Sequence, residues 1–177
     1  WSYDYYEELI GTETEYLPSY LLDVDQKMSR LEVAVALCSL ADIELAESVS
    51  SDPFPDFSKD DKYVECVQAL KNKNVLQGYT DGNLKPTATV NRIEALKMIF
   101  KTFGVAGGEL FGDSLISFYG FEVPFPDIDE SQWYAPFVYK AFSENIVKGF
   151  NDGLFRPTDP VTNSQFVKIV VLTERLN

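Results

Sequence analysis

The sequence predicts an all-α fold built of repeated helix–turn–helix units. Three observations carry this: a self-match at one fixed offset, apolar residues at helical spacing in each copy, and helix-start signatures ahead of three apolar runs. Sliding the chain by 71 residues lays Pro53-Phe54-Pro55-Asp56 on Pro124-Phe125-Pro126-Asp127, Gly78 on Gly149, Asp81-Gly82 on Asp152-Gly153 and Pro86-Thr87 on Pro157-Thr158, with no gap. Tyr63/Tyr134, Val67/Val138, Asn74/Asn145, Val90/Val161 and Lys97/Lys168 also coincide, so 14 of 48 positions agree between 53–100 and 124–171. Ordinary residue frequencies give roughly three.

The elements follow in chain order. Residues 1–25 carry Asp4, Glu7, Glu8, Glu13, Glu15, Asp23 and Asp25 and no Lys or Arg, an acidic segment ahead of a nearly balanced body. Met28-Ser29-Arg30-Leu31-Glu32-Val33 then reads as staple residue, N-cap, Glu at the third helical position and an apolar fourth, continued by Ala34-Val35-Ala36-Leu37. After Phe54-Pro55-Asp56, the residues Tyr63, Cys66, Val67 and Leu70 recur at helical spacing, as do Tyr134, Phe137, Val138 and Ala141 in the other copy. These helices are expected to stop before Gly78 and Gly149. Tyr79-Thr80-Asp81-Gly82 and Phe150-Asn151-Asp152-Gly153 make tight turns, and Lys85-Pro86 and Arg156-Pro157 follow as extended or turn dipeptides. Asn91 with Glu94 and Thr162 with Gln165 form capping boxes, with Val90 stapled to Ala95 and Val161 to Phe166. The division expected is 1–52 as a diverged first unit, 53–104 as the second, 105–123 as an insertion and 124–177 as the third. The insertion, with Phe111, Phe118, Tyr119 and Phe121, reads as a loop covering apolar surface, or else as an added groove wall or partner contact.

Composition excludes several classes. With 45% hydrophobic and 24% charged residues the chain is neither disordered nor short of core. A formal charge of −13 argues against nucleic acid or an anionic membrane as partner. The absence of histidine removes imidazole acid–base chemistry and His-bearing zinc sites. No run approaches the ~20 apolar residues of a membrane span, and no signal peptide opens the chain, whose start at Trp1 suggests a segment processed or excised from something longer. Cys38 and Cys66 read first as two buried thiols and otherwise as one disulfide. Asp81-Gly82 and Asp152-Gly153 lack the alternating oxygen ligands of a calcium loop and are read as turns, so neither metal nor cofactor is expected.

Phe125-Pro126-Asp127, Trp133-Tyr134-Ala135, Gly149-Phe150-Asn151-Asp152-Gly153-Leu154-Phe155-Arg156-Pro157 and Val161-Thr162 together resemble the S-layer homology domain. The second copy matches from Phe54 to Met98, with Lys62-Tyr63 in place of the Trp, and the first only around Ser29–Glu32 and its helix. The resemblance implies three units in a pseudo-threefold, three-lobed spindle around a central three-helix bundle, with ligand grooves between the lobes. It further implies a non-enzymatic module at the bacterial cell surface that binds a cell-wall polysaccharide, often one ending in a pyruvylated sugar. Other S-layer or envelope proteins are the alternative partners, should glycan binding have been lost. A carboxylate-based glycoside hydrolase is disfavoured, because the acids fall at caps, turns and the N-terminal segment rather than in a facing pair.

The family's Thr-Arg-Ala-Glu motif carries over to Arg30 and Arg92 at the Arg position and to Glu32 and Glu94 at the Glu position, while the third unit has Asn163 in place of Arg. The two glutamates are already explained as capping residues. The arginines are not, since the helix dipole disfavours a cation in the first turn by about 0.3–1 kcal/mol. A carboxylate ligand would reward their placement through a planar fork of donors, whereas a solvated Arg or a salt bridge to a nearby acid is the plainer account. Lys85 and Arg156 either point into the same grooves or sit on the surface. Trp133 either stacks a sugar ring or, as is commoner for an aromatic opening an amphipathic helix, enters the core.

Overall fold

The computed structural model describes residues 21, 23–106, 120 and 124–176. The sequence expectations for most of the acidic segment, and for residues 107–119 and 121–123 of the insertion, fall outside these. Among the described residues the fold is helical: α1 (Arg30–Leu40), α2 (Val64–Asn72), α3 (Arg92–Thr102), α4 (Ala135–Ser143) and α5 (Asn163–Glu174), with only isolated antiparallel bridges between them.

The helix starts follow from the sequence. Ser29 and Asn91 each accept from the amide three residues on, and Glu32 and Glu94 accept in return from the N-cap amides at 2.7 and 3.1 Å. The third box is only half formed. Thr162 accepts from the Gln165 amide at 3.5 Å, but Gln165 Oε1 is buried with no hydrogen-bond partner among the described residues.

The helices end before the glycines as expected, but asparagines rather than glycines stop them. Helices α2 and α4 stop at Asn72 and Ser143, well before the glycines, because Asn74 (φ 56°) and Asn145 (φ 60°) turn the backbone left-handed. The amides of Val75 and Ile146 then close onto the Leu70 and Ala141 carbonyls at 2.9 and 2.8 Å, a Schellman cap sealed by apolar residues. Gly78 serves close approach instead, since a Cβ there would meet the Gly82 carbonyl oxygen at 2.8 Å.

Packing crosses the repeat boundaries. Helix α2, in the first matching copy, packs on α1 ahead of it; α4, in the second copy, packs on α3 of the first; α3 also contacts α1 and α5. The α1–α2 contact brings Cys38 and Cys66 to a Cα separation of 6.1 Å, and they form a disulfide. The reading of two buried thiols is thereby corrected: helical periodicity places each cysteine on an apolar face but cannot say which two faces meet.

The segments ahead of α1, α3 and α5 bind one another in a closed cycle. Met28 N–H donates to the Val161 carbonyl (3.1 Å), Val161 N–H to Val90 (2.9 Å) and Val90 N–H to Met28 (3.0 Å). All three side chains are fully buried. A second set of bonds follows two residues on: the first helical amides of Arg30, Arg92 and Asn163 donate to the carbonyls of Ala88, Asp159 and Gln26 at 2.9, 3.0 and 2.9 Å. Amides that a helix start leaves without partners inside its own helix are thus satisfied by the neighbouring loop.

Candidate functional site

Both motif arginines are buried at helix starts, each 7% exposed. The Arg30 guanidinium lies 4.8 Å from the Tyr79 ring centroid and donates through Nη2 to the Gln77 carbonyl at 3.3 Å. Arg92 lies 4.8 and 4.7 Å from the Phe150 and Phe155 rings. Neither has a salt bridge among the described residues, and the Nε of each is buried without a hydrogen-bond partner. The plainer accounts, a solvated Arg or a salt bridge, therefore do not describe them. The aromatic faces attract the cations by about 0.5–2 kcal/mol. That offsets the unfavourable helix dipole and leaves donor capacity unused. Burial pushes Arg92 down to about 10, with Asp159 and Asp127 opposing the drop and Arg156 adding to it, so it stays charged at neutral pH.

The Arg30 side opens into a groove of about 160 Å³ whose walls come from all three segments of the chain: Arg30 from α1, Tyr79 from the turn, Glu94 and Lys97 from α3, and Trp133 from the approach to α4. Trp133 is 50% exposed, with the Lys97 ammonium 4.9 Å from its ring. The expectation that Trp133 enters the core is corrected. It stands in the turn before α4, and its ring meets Tyr134 and Phe137 edge-on at 5.7 and 6.3 Å, leaving the indole open to solvent. Glu94 caps the helix and also accepts from the Tyr79 hydroxyl at 3.4 Å. Burial and this carboxylate push the Tyr79 phenol up, against the pull of Arg30 and Lys85. Glu32 caps α1 and accepts from Gln26 at 3.3 Å.

Lys85 and Arg156 are half exposed and bound to Asp81 and Asp152 at 2.9 and 2.7 Å, each also over the ring of its own turn, Tyr79 (4.7 Å) or Phe150 (4.4 Å). Their backbones are left-handed, φ 55° and 59°, directly before a proline. The Phe-Pro-Asp carboxylates hold them there. Asp56 accepts from Leu84 and Lys85 amides at 2.7 and 2.8 Å, and Asp127 from Phe155 and Arg156 amides at 2.9 and 2.6 Å.

Asn163 is fully buried, its side-chain amide donating to the Asp23 carbonyl at 2.7 Å. It ties the segment before α1 to α5, so this corner presents no cation. Three residues escaped the sequence reading: Tyr79 and Phe150 as ring platforms, and Lys97, whose counterpart in the other copy is Lys168, as a groove cation. The lysines coincide under the 71-residue offset, a signal taken only as evidence of repetition.

Among the described residues no group of His, Cys, Asp and Glu could hold a metal ion, and no helix is long and apolar enough to cross a membrane. The family profile of the S-layer homology domain matches residues 53–96 and 124–167. A surface layer protein of Brevibacillus choshinensis is 29% identical over 81% of this chain and 12% of its own length. Cell surface glycoprotein 1 of Acetivibrio thermocellus is 29% identical over 57% of this chain and 4% of its own. The cellulosome-anchoring protein of the same organism is 23% identical over 90% of this chain and 35% of its own. The chain thus spans a minor part of each of these relatives.

Proposed function

From the premise that this chain carries two S-layer homology domains, over 53–96 and 124–167, we propose that it is a non-catalytic module attaching a surface protein to an anionic cell-wall glycan. Its place is the bacterial cell surface and wall. The observation carrying the ligand assignment is the pair of buried guanidiniums, Arg30 and Arg92, each with a ring beneath it and an Nε lacking a hydrogen-bond partner. A buried donor left unmade costs about 1–3 kcal/mol or more when charged. A carboxylate entering the groove recovers that cost in a charge-assisted bond, and a pyruvylated sugar offers a carboxylate beside an apolar ring face for Trp133. The names of the relatives, a surface layer protein and a cellulosome-anchoring protein, agree with attachment as the task.

Three units with a diverged first, over 1–52, and an insertion at 105–123 remain our reading of the organisation. The hydrogen-bond cycle and the second set of bonds support a pseudo-threefold arrangement, since each of three segments gives to one neighbour and takes from the other. The corners are unequal. Arg92 leads, Arg30 follows, and the Asn163 corner is silent because its amide is committed to Asp23.

The test is co-sedimentation with purified cell wall before and after removal of its polymer. Binding lost on removal is expected, with about one tight equivalent of a short anionic fragment. Binding retained on stripped wall, or sugar released from it, overturns the reading; binding only to other envelope proteins would make this an assembly module instead.

A further inference from the structure

Between α1 and α2 the chain runs through residues 43–52 without helix or strand. Glu44, Leu45, Glu47, Ser48, Ser50 and Ser51 are exposed, Leu45 by 48%. From Glu44 to Ser51 the sole backbone amide with a hydrogen-bond partner among the described residues is that of Ala46, which donates to the Glu65 carbonyl at 3.3 Å. The segment also stands off α2. An open cavity of about 480 Å³ lies between them, and the α2 side chains that line it, Gln68 and Asn72, bond each other at 2.7 Å rather than the segment. A protease binds its substrate as an extended strand through the backbone amides and carbonyls, so a helix must open first and an unpaired segment need not. The turn after α2 is closed to such binding: the Tyr79 amide donates to the Asn83 carbonyl at 2.9 Å, the Gly82 amide to the Tyr79 carbonyl at 2.8 Å, and Asp56 holds the Leu84 and Lys85 amides.

The residue types select the kind of enzyme. From Leu31 to Ser58 the chain has no Lys or Arg, so an endopeptidase that cuts after a cation finds no bond here, whereas one that cuts after glutamate finds Glu47 in the middle of the unpaired stretch. The disulfide then decides what a cut does. Cys38 and Cys66 stand on either side of the segment, 28 residues apart. Hydrolysis of the Glu47–Ser48 bond adds one water, leaves a carboxylate on Glu47 and an amine on Ser48, and keeps the two pieces joined through their sulfurs. The N-terminal piece carries Arg30, Met28 with both of its bonds in the cycle, and the buried Val33, Ala34 and Leu37 of α1. The other piece carries Arg92, Tyr79 and Trp133. While the disulfide holds, the pieces meet as a tethered pair at high effective concentration; once it is reduced they meet as separate molecules, and their association depends on dilution.

We propose that residues 44–51 are a processing site for a glutamate-directed endopeptidase, and that the Cys38–Cys66 disulfide retains the Arg30-bearing piece after the cut, so that cleavage and reduction are both needed to release it. This goes beyond the wall-anchoring reading and does not depend on it.

The experiment exposes the whole oxidised chain to a glutamate-specific endopeptidase and follows each bond by mass spectrometry. Cleavage after Glu47 should outrun cleavage after Glu65, an exposed glutamate inside α2, by roughly tenfold or more, since the helix must open before it is cut. Equal rates at the two bonds overturn the site. Without reductant, the piece ending at Glu47 should stay with the remainder on native size exclusion, and the cut chain should melt cooperatively. Reductant should then separate that piece on dilution. Reductant alone should release nothing from the uncut chain, and the E44Q/E47Q variant, changed at two exposed side chains, should stay joined across this segment under both treatments. Loss of the fold on cutting with the disulfide intact overturns its retaining role, and a piece that stays bound after cutting, reduction and dilution overturns the release. None of these readouts uses the cell wall, so their failure leaves the anchoring reading standing, and failed wall co-sedimentation leaves this inference standing.

Discussion

The Asp56 carboxylate accepts the backbone amide of Lys85 at 2.8 Å and so holds a left-handed residue directly ahead of Pro86. A left-handed conformation is costly for a residue with a Cβ, by about 1–2 kcal/mol. The clamp fixes the turn that carries Tyr79, the ring beneath Arg30, and Asp127 repeats the arrangement for Arg156 and Phe150.

Asp56→Ala removes both bonds and should lower stability by about 1–2 kcal/mol, with weaker wall binding. Adding Lys85→Gly, which relieves the left-handed strain, should restore part of the lost melting temperature. Thermal melts of the single and double variants decide it; an Asp56→Ala chain that melts like the parent would show that the clamp contributes nothing.

Arg92→Ala should weaken wall binding about 10-fold or more, since a charge-assisted hydrogen bond contributes roughly 1.5–3 kcal/mol. Lysine at this position should recover little, lacking the planar fork that lies over Phe150 and Phe155. Because the Asn91–Glu94 box stays in place, circular dichroism should report an intact fold. Unchanged binding would remove Arg92 from the site.

The capping boxes predict unequal costs. Asn91→Ala should destabilise by about 0.5–2 kcal/mol, and Thr162→Ala by less, because its box is half formed at 3.5 Å. Urea unfolding of the two variants measures the difference, and an equal loss would contradict the geometry.

Lys168 is pushed down to about 8, first by burial and then by Lys148 and Arg92, so wall binding through Arg92 is expected to depend on pH. Below that value the ammonium is charged and attracts an anion; binding should therefore weaken as pH rises from 7 to 9, and Lys168→Met should flatten the profile. Stability moves oppositely. Between about 8 and the ordinary lysine value of 10.5 the unfolded chain holds the extra proton, so this group makes the fold relatively more stable as pH rises through that window. The gain is discounted by solvent screening, because Lys168 is only partly buried. Binding titrations and melts at pH 7, 8 and 9 check both signs.

Reducing the Cys38–Cys66 disulfide should cost about 2–4 kcal/mol by freeing the loop that it closes between α1 and α2. Melts with and without reductant test this. Binding through Arg92 should survive reduction, since α3 and α5 lie outside that loop.

The local elements were legible because their signals are local. A capping residue, an apolar stripe and an Asx turn act within one or two turns of chain, so the 71-residue offset and the helix-start signatures placed α2 to α5, and the signature at Ser29–Glu32 placed α1. The offset even flagged Lys97, but not its place in the groove. What the sequence by itself determined is therefore helical content, repetition and which residue types stand at each helix start. The tertiary structure alone decided that α2 packs on α1 and α4 on α3, that Cys38 meets Cys66, that half of Trp133 stays in solvent and that Asn163 turns inward to Asp23. The reason is physical: helical periodicity fixes which face of an element is apolar, while the partner of that face is settled only when distant segments compete to cover it.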